Sequence, residues 1–136
     1  MALKVRHSVM VGLMGRQADR FHEYQPAREL PERLEMAARV RGADGIEVVY
    51  PSDFAGGDAS LEQIKHGGLA VSAVNLNVKG AGKWQSGSFT STDPHLRADA
   101  VADLKTAMDL AAELGAGGRG RPSAGTVRQR RNAVKA

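Results

Sequence analysis

Two amides stand two residues apart where an apolar run ends: Asn75 and Asn77 in "LAVSAVNLNVKG", residues 69–80. An amide side chain carries both donors and acceptors, which is what recognition of a hydroxyl-rich ligand requires. A carboxylate, Glu47, lies inside a second apolar run, "GIEVVY" at 45–50. Burying a carboxylate is costly unless it is paired or liganded, so Glu47 is expected to look toward a polar pocket. Plainer roles stand beside these. Glu47 could bond backbone or an arginine, and the amides could cap a strand end, where asparagine also favours turns.

His7 occupies a valine-rich run with Val5, Val9 and Val11 on its face. It is either a ligand or proton-transfer group or a satisfied core histidine. Trp84, the only tryptophan, lies among Gly80, Gly82 and Gly87. It would serve as an apolar wall for a ring-shaped ligand or as a hydrophobic plug over helix packing. His22, His66 and His95 have no useful metal spacing and read as surface residues, so no metal site is assigned to this chain, and no catalytic residue. Arg97 could reach a phosphate, but pairing with Asp93 or Asp99 is the more common use of such an arginine. Tyr50 and Phe54 read as packing. "GAGG" at 115–118 lacks the G-x-x-x-x-G-K-S/T pattern of a phosphate loop.

The elements that must position these groups alternate. "KVRHSVMVGL", 4–13, suits a first strand, and 14–29 a long polar connection. Pro31 fits the first turn of a helix carrying Leu34, Ala37, Ala38 and Arg41, with Gly42 as a stop. The strand 45–50 ends at Pro51. "SLEQ" from Ser60 matches a capping box for a short helix with Leu61 and Ile64 inward, stopping at Gly67-Gly68. Asp93 and Pro94 open a third helix, with the stripe Leu96, Ala100, Val101, Leu104, Met108, Ala111 and Leu114, ended by Gly115. Strict alternation along 69–78 places Ala70, Ser72, Val74, Leu76 and Val78 under the helices. It leaves Leu69, Val71, Ala73, Asn75 and Asn77 on the other face, greasy at its start and polar at its end. Strands alternating with helices predict α/β architecture with a parallel sheet, whose ligands sit beyond the carboxyl ends of the strands.

Composition bounds the rest. With 136 residues, 42% hydrophobic and 25% charged, the chain is one globular domain or a piece of one. No run approaches the roughly 18 apolar residues of a membrane helix, and the N-terminus lacks a clean signal-peptide cleavage site. Zero cysteines exclude disulfides and thiolate metal sites and agree with a cytoplasmic location. The net charge is +4, but Arg119, Arg121, Arg128, Arg130, Arg131 and Lys135 contribute six positive charges without an acid from Gly117 onward. Removing them leaves 13 basic against 15 acidic residues, about −2.

"GADGIEVVYPSDF", "LAVSAVNLNV" and, above all, the run from "TSTDP" through "AAELGA" resemble sugar (phosphate) isomerases and epimerases of the xylose isomerase-like TIM barrel superfamily, over residues 4–116. The resemblance implies a partial β/α barrel of about three β/α units, 1–116, followed by an irregular basic tail, 117–136. It implies a sugar or sugar phosphate as substrate and, in full-length relatives, a divalent metal (Mn or Mg). Their metal ligands, two Glu with an Asp and a His, come from the second half of the barrel, so this chain is expected to bind no cofactor and to be inactive alone. Here the strand expected after "ELGA" is replaced by "GGRGRPSAGTVRQRRNAVKA". That change predicts truncation after Ala116, with downstream DNA in another frame encoding further strands. Of this site, Glu47, Asn75, Asn77, the Trp84 loop and His7 would remain. The exposed strand edges would favour a homodimer. A rival reading makes the chain a non-enzymatic module whose basic tail binds RNA or an acidic partner, but the tail has no aromatic residue to stack bases and fits a solvated end.

Overall fold

In the computed structural model, which describes residues 5–80 and 82–117, a three-stranded sheet has the order β1 (Ser8–Met10), β4 (Gly45–Tyr50), β5 (Ala70–Leu76). Both pairings are parallel. Parallel neighbours need crossover connections, and α1 (Leu30–Ala38) and α2 (Asp58–Lys65) provide them, while α3 (Pro94–Leu114) follows β5. The architecture is thus mixed α/β with a parallel sheet, and the sheet is not closed into a barrel.

The helices share one face. Ile46 and Val48 of β4 and Val71 of β5 form the core with Leu30, Leu34 and Ala37 of α1 and Leu61 and Ile64 of α2, joined by Leu110 and Leu114 of α3. Each fully buried Val, Leu or Ile contributes about 1.5–3 kcal/mol, so this layer holds the helices to the sheet. Successive strands in spatial order, joined by crossovers of one hand, put every helix on the same side. The opposite face, carrying Met10, Glu47, Val49, Ala73 and Asn75, has no helix over it among the described residues.

The sequence placed β4 correctly to the residue. α3 begins where expected: the Asp93 side chain accepts the His95 N–H at 2.8 Å, Pro94 occupies the first turn, and Gly115 closes the helix at φ 68°. No helix among the described residues is long and apolar enough to cross a membrane.

Six expectations are corrected. The connection 14–29 contains an antiparallel hairpin, β2 (Gln17–Ala18) with β3 (Glu23–Gln25), and β1 is cut to three residues by a 3₁₀ turn, Val11–Met14. The hairpin's four-residue tip, Asp19–His22, is closed by Asp19 rather than by the glycine or proline that marks most turns: its carboxylate takes the N–H groups of Phe21 and His22. Ser60 is not a cap. α2 starts two residues earlier after Gly57, and the buried Ser60 hydroxyl accepts the Gly56 N–H at 3.1 Å. β5 does not alternate strictly: an irregularity between Ile46 and Glu47 pairs Ile46 with Val71 but Glu47 with Ala73. The extra residue, Ser72, shifts the phase, so Val71 joins Val74 and Leu76 on the helix side. On α3, Val101, Leu104 and Met108 are 42%, 38% and 62% exposed, while the alanines Ala100 and Ala107 are buried. Small side chains let the helix approach β5 closely, and the larger apolar ones fall on its flank. Arg97, finally, pairs with neither Asp93 nor Asp99, because its guanidinium donates to the Ser91 and Thr92 carbonyls at 2.6 and 3.1 Å, tying the loop to the helix.

Candidate substrate-facing site

Register creates the first contact of the site. Glu47 pairs with Ala73 and Val49 with Asn75, so Glu47 and Asn75 share the helix-free face on neighbouring strands. Asn75 Nδ2 donates to Glu47 Oε2 at 3.0 Å. Both residues are half-buried. The contact leaves Glu47 Oε1, Asn75 Oδ1 and the second amide hydrogen without protein partners among the described residues. Two acceptors and a donor, side by side, suit a ligand bearing several hydroxyls.

Asn77 continues β5 by one backbone bond, donating its N–H to the Tyr50 carbonyl at 2.8 Å, and its side chain is exposed. It lies at the carboxyl end, beyond Asn75. The structure therefore brings Glu47 and Asn75 into contact and sets Asn77 next along the same strand.

The other two candidates lie apart. His7 precedes β1 at the amino end of the sheet, exposed, where its N–H donates to Asp44 Oδ2 at 3.0 Å and its carbonyl accepts from Asp44 and Gly45. Trp84 closes a 3₁₀ turn, Gly82–Trp84, with the Lys83 ammonium 4.7 Å from its ring centroid. Lys83 also pairs with Asp99 of α3 at 2.8 Å. That hydrogen bond, with further attraction from Asp99, Asp103 and Tyr50, raises the Lys83 pKa. The Trp84 loop thus lies against α3, and no hydrogen bond or ring contact joins it to Glu47 or Asn75 among the described residues. Tyr50 packs on Phe54, ring centroids 6.1 Å apart, as expected.

Two arrangements have no counterpart in the sequence reading. β1 stops at Met10, so the edge groups of Val49 on that side lose their strand partner. Asp53 takes the Val49 N–H at 2.7 Å and Ser52 reaches the Val49 carbonyl at 3.4 Å. Arg33 of α1 neutralises the buried Asp53 at 2.6 Å. At the amino end, Ser8 and Ser72 hydroxyls meet at 2.6 Å across β4, and Ser72 donates to the Ile46 carbonyl at 3.0 Å. They meet because the residue between them is Gly45, where a Cβ would lie 3.6 Å from the Ser72 Cβ. Asp53 and Ser72 gave no periodic signal, since one acts from a loop and the other from a bulge.

Away from this face, a groove of about 360 Å³ runs between α1 and α2, lined by Leu34, Ala38, Gln63 and His66 among others. Its edge carboxylate, Glu35, is already paired with Arg39. No group of three or more His, Asp or Glu side chains converges to hold a metal ion among the described residues. The basic tail lies outside them, apart from Gly117. No protein-family model matches the chain, and no curated protein matches it.

Proposed function

We propose that this chain is a portion of a β/α barrel of the sugar isomerase and epimerase kind, and that it holds one wall of a site for a small polyhydroxylated substrate. The observation that carries this reading is the Glu47–Asn75 contact on a helix-free face of parallel strands. Three strands in sequential order with all helices on one side are what a segment of a barrel wall looks like, and barrels place their sites at the carboxyl ends. Asn77 and the loops after β4 and β5 extend the wall toward that end. In a complete barrel of this kind a divalent metal would supply carbonyl polarisation, and carboxylate bases would move a proton between adjacent carbons. The part this reading gives to Glu47, Asn75 and Asn77 is binding and orientation of the substrate, within a cytoplasmic protein.

The test is a ¹⁵N NMR titration of the whole chain with D-ribose. Shifts centred on Glu47, Asn75 and Asn77, abolished by Glu47→Gln combined with Asn75→Ala, support the reading. Shifts scattered elsewhere, or none, overturn it. Added manganese or magnesium should give no sugar turnover by the chain alone. The proposal includes a partner, a second copy meeting the free edge of β5.

A further inference from the structure

We propose that a second copy of this chain completes the polyol wall, its β5 pairing antiparallel with the free edge of β5 and setting a side chain beside Asn75; this rests on the function proposed above. Asn75 stands on the outermost strand of the sheet, with Glu47 on its β4 side taking one amide hydrogen. On its other side no strand stands among the described residues. What completes the wall there must pair with β5, and the edge fits its own counterpart. A two-fold axis sets identical residues against each other, so a charged edge repels its mate. Guarded edges carry charge or proline, and β5, Ala70–Leu76, has neither. Its bulge, at Ser72, leaves 73–76 regular. The sheet's other edge, β1, has three residues against seven. α3, which packs on β5, also leaves Val101, Leu104 and Met108 exposed, an apolar surface for the mate's helix.

Pairing about such an axis dictates what Asn75 meets. An axis normal to the sheet keeps both helix-free faces on one side. Residues opposite each other in an antiparallel ladder share a face, with Cβ atoms about 4.5–5.5 Å apart. On that face β5 presents Ala73 and then Asn75, with Asn77 next in the alternation. With the axis at Asn75, that residue faces its own counterpart. With the axis one residue earlier or later, it faces the mate's Ala73 or Asn77. In all three registers amides of both copies stand within about 8 Å of each other, the span of a diagonal pair. A small polyol held by Glu47 and Asn75 of one copy therefore reaches a donor and an acceptor of the other. The site is a cleft shared across the seam, not a groove on either chain.

The experiment follows the whole chain and Leu104→Lys with D-ribose, by NMR titration and sedimentation velocity. Leu104 is 38% exposed and belongs to α3, across the sheet from the wall, so the variant should keep the parent's amide dispersion. Ribose binding by the parent is expected to tighten as chain concentration rises, and ribose in turn to raise the dimer fraction, since such coupling is reciprocal. Leu104→Lys should weaken ribose about fivefold, the worth of one neutral hydrogen bond, without touching Glu47 or Asn75. In a mixture of ¹³C-labelled and unlabelled chains, the Asn75 side chain should show a nuclear Overhauser contact with β5 of the other copy. Ribose shifts at Glu47 and Asn75 that ignore both chain concentration and Leu104→Lys overturn the inference while the polyol wall stands. So does a contact from the Asn75 edge to a segment of its own chain in place of the mate's β5, or a dimer whose population ribose leaves unchanged. If ribose perturbs neither Glu47 nor Asn75 at any concentration, the wall itself falls, and this inference with it.

Discussion

Asp53 shows how one side chain can decide a loop. Its carboxylate takes the place of the strand residue that β1 does not supply, and Arg33 balances its charge. Removing one partner of a buried pair leaves the other charge without compensation, typically at about 3–5 kcal/mol. Asp53→Asn keeps the shape and removes the charge, so urea unfolding should show a loss of about 3 kcal/mol; less than 1 would mean that water shares the site. Asp19 works at the surface. The Tyr24 hydroxyl, then the N–H groups of Phe21 and His22, hold its carboxyl below the usual range, and Tyr24 rises in return through the same bond. A depressed carboxylate stabilises the hairpin above its unfolded-state pKa and stops doing so as pH falls through the folded value. The raised Tyr24 contributes below its unfolded pKa, and that contribution is lost as pH climbs past the folded value. Hairpin amide shifts should therefore respond to the loss of the Asp19 charge at the acid extreme and of the Tyr24 proton at the alkaline extreme. Asp19→Asn should return the Tyr24 absorbance titration toward that of free tyrosine.

At the level of elements, what could be read from sequence depended on whether a regular period survived. β4 was legible because "GIEVVY" is compact and ends in proline, and α3 because its cap, first-turn proline and terminal glycine agree. β5 was legible as a strand but not in its faces, because a single extra residue reverses them and leaves no compositional mark. Glu47 and Asn75 still met, since Asn75 lies past the bulge in the phase that pairing with Val49 sets. The start of the β4–β5 pairing depends on Gly45. A Cβ there would come to 2.9 Å from the Ala70 carbonyl oxygen, which belongs to backbone and cannot swing away. Gly45→Ala is expected to cost about 1–3 kcal/mol and to disturb the amides of Ser8 and Ser72. α3 gives the converse pair. Ala107→Leu should lose about 1–3 kcal/mol by overfilling the seam with β5, whereas Met108→Ala should stay within about 0.5 kcal/mol. If the two are equally damaging, the assignment of α3's buried face is wrong.

For the whole molecule, the decisive feature is the surface that these faces leave open. Glu113 pairs with Lys65 of α2 at 3.0 Å, fixing which flank of α3 looks back over β4. From the line through Ala100, Ala107 and Leu114, Glu113 lies about 120° one way around the helix, and Val101, Leu104 and Met108 about 60–120° the other. The apolar flank therefore lies on the side of α3 away from β4, toward the edge of β5 that has no strand partner among the described residues. An open strand edge with an apolar helix flank beside it is one continuous adhesive surface, since strand pairing and helix packing would be satisfied together. A second copy meeting it about a two-fold axis would set β5 against its mate antiparallel and the two flanks against each other, the self-complementary arrangement of a two-fold interface. This sharpens the homodimer expected from the strand edges, which named the edge and not the helix beside it, because α3's stripe had been assigned to the core as a whole. The outcome expected is a concentration-dependent dimer in sedimentation velocity. Leu104→Lys should weaken it about tenfold or more, by placing a charge in the seam. Arg41→Glu, on the turn after α1, should leave it unchanged. A chain that sediments as a monomer at every accessible concentration, or a dimer indifferent to Leu104→Lys, would show that something other than a second copy covers this edge.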